Sequence, residues 1–132
     1  MSYVLTELQL AILKVVWERG EATVLELHDA LREERRIAQS TVATLLTRME
    51  KKGLVAHRTE GRQYVYRARV DESQVRRSVV ADFAELAGRL FEGDVATMVS
   101  HLLTASEVEE RDLARIRDII ERREAELKGG EG

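Results

Sequence analysis

The chain has 132 residues, of which 44% are hydrophobic and 34% are charged, and its formal net charge is −3. This length and composition predict one globular domain or a small domain with an appendage. The absence of cysteine excludes disulfides, thiolate metal sites and thiol nucleophiles.

The first two predicted elements are helices that begin with capping boxes, in which a side chain caps a backbone amide and the residue three positions later reaches back. The sequence TELQ at Thr6 predicts a helix over about Glu7–Arg19, ended by Gly20. The sequence TVLE at Thr23 opens a second helix, which ends in the charged run 32–36. The residues of the first helix expected to face the core are Leu8, Ile12, Val15 and Val16.

Residues 38–53 predict a third helix with two chemically different faces. At 100° per residue, one face is apolar, and the opposite face carries small hydroxyl residues and a lysine. Gly53 supplies the left-handed residue that commonly ends a helix, and Leu54 can fold back on the last apolar turn. The apolar face consists of Val42, Leu45, Leu46 and Met49, and the opposite face, here called the hydroxyl face, of Ser40, Thr44, Thr47 and Lys51.

Small hydroxyl side chains allow a helix to lie deep in a DNA groove, where they can donate and accept hydrogen bonds at base edges or phosphates. The third helix is therefore a candidate recognition helix, with basic residues near its end for phosphate contacts. The alternative is an amphipathic core helix with a chance run of threonines. The predicted DNA-binding residues on this helix are Ser40, Thr41, Ala43, Thr44, Thr47, Arg48, Lys51 and Lys52.

After the third helix the apolar period changes from 3.6 to 2, which is typical of strands. Segments 54–58 and 63–70 predict a hairpin whose turn contains Gly61, a residue that permits a positive φ. Two helices joined by a short link, the second of them the candidate recognition helix, followed by a hairpin predict a winged helix-turn-helix. Tyr64 and Tyr66 lie on one face of the second strand and are expected in the core.

Basic charge is concentrated around the candidate recognition helix. Residues 35–69 contain nine basic and two acidic side chains, a local net charge of +7, whereas residues 71–132 have a net charge of −6. Such a concentration is expected of a phosphate-binding surface. Arg58 and Arg62 of the hairpin are predicted to contact phosphates or to reach into the minor groove.

The remainder of the chain is predicted to form three helices. The sequence DESQ at Asp71 opens a helix with a long apolar stripe, which Gly93 interrupts. A short helix follows over about Val95–Leu103, and the sequence SEVE at Ser106 opens the last helix. The predicted fold class is mainly α with a small β-hairpin. The predicted domains are a winged-helix DNA-binding domain at 1–70, a three-helix dimerisation domain at 71–128 and a disordered tail at 129–132.

A three-helix segment of about sixty residues rarely buries enough apolar area to stand alone, so its stripes need a partner. The favoured partner is a second copy of the chain, because a two-fold dimer presents two recognition helices to half-sites about 34 Å apart or a multiple of that distance. The alternative is an intramolecular three-helix cap on the winged helix. The predicted dimerisation residues are Val79, Phe83, Leu86, Leu90, Met98, Leu102, Leu113, Ile116 and Ile120.

No set of acid, base, nucleophile and metal-ligand residues converges in the sequence, which predicts a protein that is not an enzyme and has no metal or other cofactor. The three histidines, His28, His57 and His101, are far apart and lack metal-ligand spacing. The sequence has no Gly-rich phosphate loop and no nucleophile elbow. It also has no run of about 18 apolar residues and no signal-peptide pattern, so we expect a cytoplasmic location without stable membrane association.

Several segments resemble the penicillinase repressors, a family that includes the BlaI and MecI regulators of beta-lactam resistance and copper-responsive relatives. The resemblance rests on LTELQLAILKVVWERGEATVLELHDAL, on STVATLLTRMEKKGLV with YVYRARV, and on FAELAGRLFEGDVATMVSHLL followed by SEVEERDLARIRDII. It implies a homodimeric repressor on a double-stranded inverted-repeat operator. It also implies relief of repression when a membrane-embedded zinc peptidase leads to cleavage in the dimerisation region.

The sequence departs from the family pattern at three places. It lacks the C-terminal cysteine cluster of the copper-sensing relatives, which excludes copper sensing by that chemistry. The Asn-Phe bond cleaved in staphylococcal-type repressors corresponds to His101–Leu102 here, the possible cleavage position. Ser40 and Ala43 stand where those repressors tend to have longer basic residues, so the preferred operator sequence is expected to differ.

The predicted function is a dimeric DNA-binding repressor that occludes promoters. Two alternatives stay open: a winged-helix regulator gated by a small ligand beneath the C-terminal helices, and a winged-helix module for protein contacts. The local charge of +7 over residues 35–69 favours DNA over protein contacts.

Overall fold

The computed structural model describes residues 5–130. The N-terminal elements are α1 (Glu7–Arg19), β1 (Glu21–Thr23), α2 (Val24–Leu31), α3 (Gln39–Lys51), β2 (Val55–Glu60) and β3 (Gln63–Ala68). The C-terminal elements are α4 (Glu72–Leu90), α5 (Val95–Ala105) and α6 (Glu110–Gly130). The described residues fall into two compact units, and the division lies between Phe83 and Ala84.

Side-chain caps set the start of the first helices, as the sequence predicted. Thr6 Oγ1 accepts a hydrogen bond from the backbone N–H of Gln9, and the Gln9 side chain accepts one from the backbone N–H of Thr6, each at 3.1 Å. Thr23 and Glu26 form the same reciprocal pair at the start of α2. Asp71 caps α4 in the same way. The predicted bounds of the first helix are confirmed.

The sheet has three antiparallel strands in the order β1-β3-β2, where the sequence predicted a two-stranded hairpin. The additional strand pairs Glu21 with Arg67 and Thr23 with Val65. A three-residue strand is too short to show an alternating pattern, so only the long-range pairing reveals it. The hairpin turn is confirmed, with Gly61 at a φ of +65°.

The core of the first unit lies between the three N-terminal helices and the sheet. The helix α1 also buries Gln9 and Leu13, which were not among its predicted inward residues. The Trp17 indole N–H donates to the carbonyl of Val70 at 2.9 Å, which ties α1 to the chain after β3. The buried cluster contains Ile12, Leu13, Val16, Ala22, Leu27, Leu31, Val42, Leu46, Met49, Leu54, Val55, Tyr66, Val70 and Val75.

The prediction that both hairpin tyrosines lie in the core is wrong for one of them. Tyr66 is 4% exposed, whereas Tyr64 is 52% exposed. Tyr64 pairs with Thr59, one position from the turn. That end of the hairpin extends beyond the core, so Tyr64 stacks on the ring of His57 at 4.2 Å instead of packing against the helices.

The start of the last helix also differs from its prediction. Ser106 follows the final turn of α5, and its backbone N–H donates to Leu102. The helix α6 begins four residues later, where the side chain of Asp112 accepts a hydrogen bond from the backbone N–H of Glu109. It continues to Gly130, past the predicted start of the tail, and residues 131–132 lie outside the described part of the chain.

Candidate DNA-binding surface

The helix α3 is held in the core by one face and exposes the other, as predicted. Val42, Leu46 and Met49 are fully buried. Leu45 is half-buried, and so is Ala43 at the edge of the outer face. All the remaining residues predicted to bind DNA from this helix are exposed: Ser40, Thr41, Thr44, Thr47, Arg48, Lys51 and Lys52.

The end of α3 is fixed by the predicted left-handed stop. Gly53 has a φ of +80°, and its backbone N–H donates to the carbonyl of Glu50. The backbone N–H of Leu54 donates to the carbonyl of Met49 at 3.0 Å, and the Leu54 side chain is buried. This arrangement satisfies carbonyls at the end of the helix and turns the chain directly into β2.

The two threonines of the hydroxyl face expose oxygen lone pairs and methyl groups. Thr44 Oγ1 donates to the carbonyl of Ser40, and Thr47 Oγ1 donates to the carbonyl of Ala43, each at 3.0 Å. The hydroxyl protons of these two threonines are therefore engaged within the helix, and Ser40 and Lys51 provide the donors of this face. The outward oxygen lone pairs fit amino donors on bases, and the methyl groups fit the thymine methyl.

Cations lie at the C-terminal end of α3 and in the hairpin turn. In the part of the chain that the structure describes, Arg48, Lys51, Lys52 and Arg62 take part in no ion pair. All four side chains are exposed. Their charge is consequently available to a polyanion.

Arg58, which the sequence predicted to contact phosphates, forms ion pairs within the protein. Its guanidinium binds both carboxylate oxygens of Glu21 on β1, with one contact at 3.0 Å, and reaches Glu60 on its own strand at 2.8 Å. The guanidinium also holds the pKa of the Glu21 carboxyl below its usual value. Because two carboxylates surround one cation, Arg58 joins the hairpin to β1 and adds no net positive charge there.

A second polar contact, which the sequence analysis missed, joins the hairpin to α3. Glu50 accepts hydrogen bonds from the backbone N–H of His57 at 2.9 Å and from its ring Nδ1 at 2.7 Å. The His57 ring lies between Tyr64 and Tyr66, with ring centroids 4.2 and 5.5 Å away. Burial, with the Glu50 carboxylate as a smaller cause, raises the pKa of Tyr66. The spacing of Glu50 and His57 in sequence carries no recognisable signal for this contact.

The link between α2 and α3 is also anchored by side chains. The His28 Nε2–H donates to the carbonyl of Ile37 at 2.9 Å, so this histidine is a structural residue. Arg35 donates to Glu7 on α1 at 2.7 Å. These contacts hold the middle of the link and its end next to α3, and so help to orient α3.

Most of the residues predicted for dimerisation have exposed side chains. Met98, Leu113 and Ile116 are half-buried. The possible cleavage position, His101–Leu102, lies within α5. Leu102 is exposed, and the ring centroids of His101 and Phe91 are 5.2 Å apart. Among the described residues, no helix is both long and apolar enough to cross a membrane. The exposed members of the predicted set are Val79, Phe83, Leu86, Leu90, Leu102 and Ile120.

The order α1-β1-α2-α3-β2-β3, with three helices packed on a sheet that ends in a hairpin, is that of a winged helix-turn-helix protein. The described chain is mainly helical and contains the predicted hairpin, which confirms the predicted fold class. The strand β1 is an additional element that the sequence did not predict. The model of the penicillinase repressor family matches residues 5–122, so the chain belongs to that family.

Relatives cover nearly the whole chain. A penicillinase repressor from Bacillus licheniformis is 25% identical over 117 residues, which are 89% of each chain. The methicillin resistance regulatory protein MecI from Mammaliicoccus sciuri is 17% identical over 122 residues, which are 92% of this chain and 97% of MecI. The solved structure of monomeric Bacillus licheniformis BlaI in complex with the blaP half-operator is 30% identical, covers 55% of this chain and 89% of BlaI, and has a TM-score of 0.48.

Proposed function

We propose that this chain is a DNA-binding transcriptional repressor that acts as a homodimer on an inverted-repeat operator. The observation that carries the proposal is the outer face of α3, where exposed hydroxyl residues lead into cations without ion-pair partners. A helix anchored by its opposite face presents such a surface to a major groove about 12 Å wide.

The two kinds of outer residue have different roles on DNA. Ser40, Thr44 and Thr47 meet base edges, because they are small and lie on the face opposite the core. The cations at the rim meet phosphates, which positions the helix without reading sequence. The phosphate-contacting residues are Arg48, Lys51, Lys52 and Arg62; Arg58 is left out because Glu21 and Glu60 bind it.

The exposed apolar stripe on the C-terminal helices supports a homodimer. Of the described residues in the second unit, only Ala87 is buried. No two of α4, α5 and α6 pack extensively against one another within the described chain. In a homodimer each chain covers the apolar stripe of the other. The two-fold axis of such a dimer matches the symmetry of an inverted-repeat operator.

The relatives support a proposal for the class of regulated genes. The Bacillus licheniformis relative is named a penicillinase repressor, and the match extends over 89% of both chains. We therefore propose beta-lactam resistance genes as the target class. Repression ends when the dimer is weakened, because a protein that binds DNA as a dimer has a lower affinity for its operator once the two subunits separate.

Cleavage in the segment 95–105 is the proposed means of weakening the dimer, in response to a membrane zinc-peptidase sensor. The His101–Leu102 bond lies inside α5, so a protease reaches it only when that helix opens locally. Cleavage there leaves α3 intact. The release of DNA then occurs through loss of the dimer rather than through damage to the recognition surface.

The experiment that tests the proposal is selection of bound duplexes from a random pool by the full chain, followed by affinity measurements over a range of salt concentrations. We expect an inverted repeat and, for about six to eight neutralised phosphates per dimer, a slope of log affinity against log salt of about −5 to −7. Recovery of no common sequence, or a slope near zero, would contradict the proposal.

A further inference from the structure

A surface cavity of about 320 Å3 lies beside the start of α3. Val24 and Leu25 from the start of α2 form one side, and Gln39, the first residue of α3, forms another. Thr23, which caps α2, and the hairpin residues Arg62, Gln63 and Tyr64 complete the lining. Its volume is at the lower end of the range of about 300–1,000 Å3 that ligand sites occupy.

The chemistry of the lining fits a group with an anionic part and a small apolar part. None of the residues lining this cavity is acidic. Arg62 supplies a cation without an ion-pair partner in the described chain, and Gln39 and Gln63 supply amide donors. Leu25 is 47% exposed and Tyr64 52% exposed, so both offer apolar surface to a ligand.

The position of the cavity relates it to the proposed DNA-binding surface. Gln39 directly precedes Ser40, the first residue of the hydroxyl face. In helix-turn-helix proteins the N-terminal residues of the recognition helix contact base edges, and the phosphate backbone runs along the edge of the same groove. A backbone strand that borders the groove therefore passes the cavity.

We propose that this cavity seats one phosphodiester group of duplex DNA together with its deoxyribose. Arg62, Gln39 and Gln63 contact the phosphate, and Leu25 and Tyr64 contact the sugar. The inference rests on the proposed function, because it takes α3 to lie in the major groove. The contact fixes the register of the protein on DNA without reading a base, since sugar and phosphate are the same at every position.

Two variants place a carboxylate in the cavity without removing a buried side chain. Gln39→Glu lies in the first turn of α3 and Leu25→Glu in the first turn of α2, where acidic residues suit the helix dipole. The matched control is Ala81→Glu, which adds the same charge at an exposed position of α4 that does not line the cavity. Thermal unfolding of each variant checks that the fold is kept.

The probe is the duplex selected by the wild-type chain, with a neutral methylphosphonate replacing one phosphate at a time. For the wild type we expect the replacement to weaken binding by about tenfold at each contacted phosphate, as for loss of a hydrogen bond to a charged group, and one of these positions in each half-site is the phosphate in the cavity. For Gln39→Glu and Leu25→Glu, binding to the unmodified duplex falls, and the replacement at that position restores affinity because it removes a repulsion. Ala81→Glu keeps the wild-type profile.

The outcomes separate this inference from the proposed function. If the wild type binds duplexes but no position changes its response in the two cavity variants, the inference is wrong and the proposed function is unaffected. If the wild type binds no duplex at low salt, the proposed function itself fails. A free anion is the other source of the same chemistry: if inorganic phosphate raises the unfolding temperature of the wild type but not of Gln39→Glu, while the methylphosphonate profiles of both are identical, the cavity binds a free phosphate and the inference is overturned.

Discussion

Glu50 on α3 accepts hydrogen bonds from two groups of His57 on β2, the backbone N–H at 2.9 Å and the ring Nδ1, which lies 2.7 and 3.0 Å from the two carboxylate oxygens. Because one carboxylate binds both groups, it fixes the direction in which the hairpin leaves α3. The proposed DNA surface comprises α3 and the hairpin turn, so this pair sets the distance between its two parts.

We expect Glu50→Ala to lower the free energy of unfolding by about 1 kcal/mol, because the lost hydrogen bonds are partly solvated. It should also weaken DNA binding, since the hairpin loses its orientation. Denaturant unfolding and duplex titration measure the two effects. Glu18→Ala is the control, because Glu18 is exposed on α1 and has no partner among the described residues. Equal unfolding curves for both variants would show that the contact does not hold the hairpin.

Arg58 and Arg62 form a matched pair that separates a structural cation from a phosphate-binding one. Arg62→Ala should weaken binding to all duplexes alike and reduce the salt slope by roughly one per subunit, because one phosphate contact is lost. Arg58→Ala should change the slope less, since Glu21 and Glu60 already neutralise that guanidinium. Affinity titrations at several salt concentrations give both slopes. Identical slopes for the two variants would mean that Arg58 also contacts phosphate.

Thr44→Val removes an outward acceptor and keeps the shape of the side chain. We expect affinity for the selected operator to fall by about tenfold, the effect of losing one base contact, with little change for unrelated duplexes. Thr104→Val is the control, because Thr104 makes the same hydrogen bond to the carbonyl four residues earlier, at 2.9 Å, on α5. Competition titrations with operator and unrelated DNA provide the comparison. A uniform loss on every sequence would show that Thr44 does not read bases.

Phe83→Glu should shift the chain from dimer to monomer, because it places a charge in the middle of the exposed apolar stripe of α4. Sedimentation velocity at micromolar concentration measures the shift, and affinity for the two-half-site operator should fall with it. Ala81→Glu adds the same charge on the opposite side of α4, at 100° per residue, and should leave the dimer intact. A wild-type chain that is monomeric under these conditions would rule out the dimer.

Asp71 links the stability of α4 to pH. Its pKa is lowered because the carboxylate accepts hydrogen bonds from the backbone N–H of Gln74 and, as a smaller cause, from the Ser73 hydroxyl. A carboxyl with a lower pKa in the folded state stabilises the fold above its unfolded pKa, near 3.8, and this contribution is lost as the pH falls through the folded value. Asp71→Asn keeps a capping side chain but cannot titrate.

Thermal unfolding at pH 6 and pH 3 measures this contribution. The difference in unfolding temperature between the two pH values should be smaller for Asp71→Asn than for the wild type. Asp118→Asn on α6 serves as the control, because this side chain caps no helix. If the control and Asp71→Asn reduce the difference equally, the cap is not the source of the pH dependence.

The sequence by itself determined the features that depend on residues close together in the chain. Capping boxes join residues three apart, and an apolar face repeats every three or four residues, so the start of α1 and the two faces of α3 could be predicted. The stop at Gly53 is equally local, because it depends on one left-handed residue and its neighbour. The family resemblance rested on the segments that contain these features, together with YVYRARV and the C-terminal segments FAELAGRLFEGDVATMVSHLL and SEVEERDLARIRDII.

Only the tertiary structure decided which distant groups meet. The strand β1 exists because Glu21 pairs with Arg67 across 46 positions of sequence, and the same fold brings the Arg58 guanidinium to the carboxylates of Glu21 and Glu60. Tyr64 and Tyr66 share one strand face, yet their burial differs because the core ends between them. The physical reason is that burial and ion pairing depend on how the elements pack in space, and sequence periodicity describes each element alone.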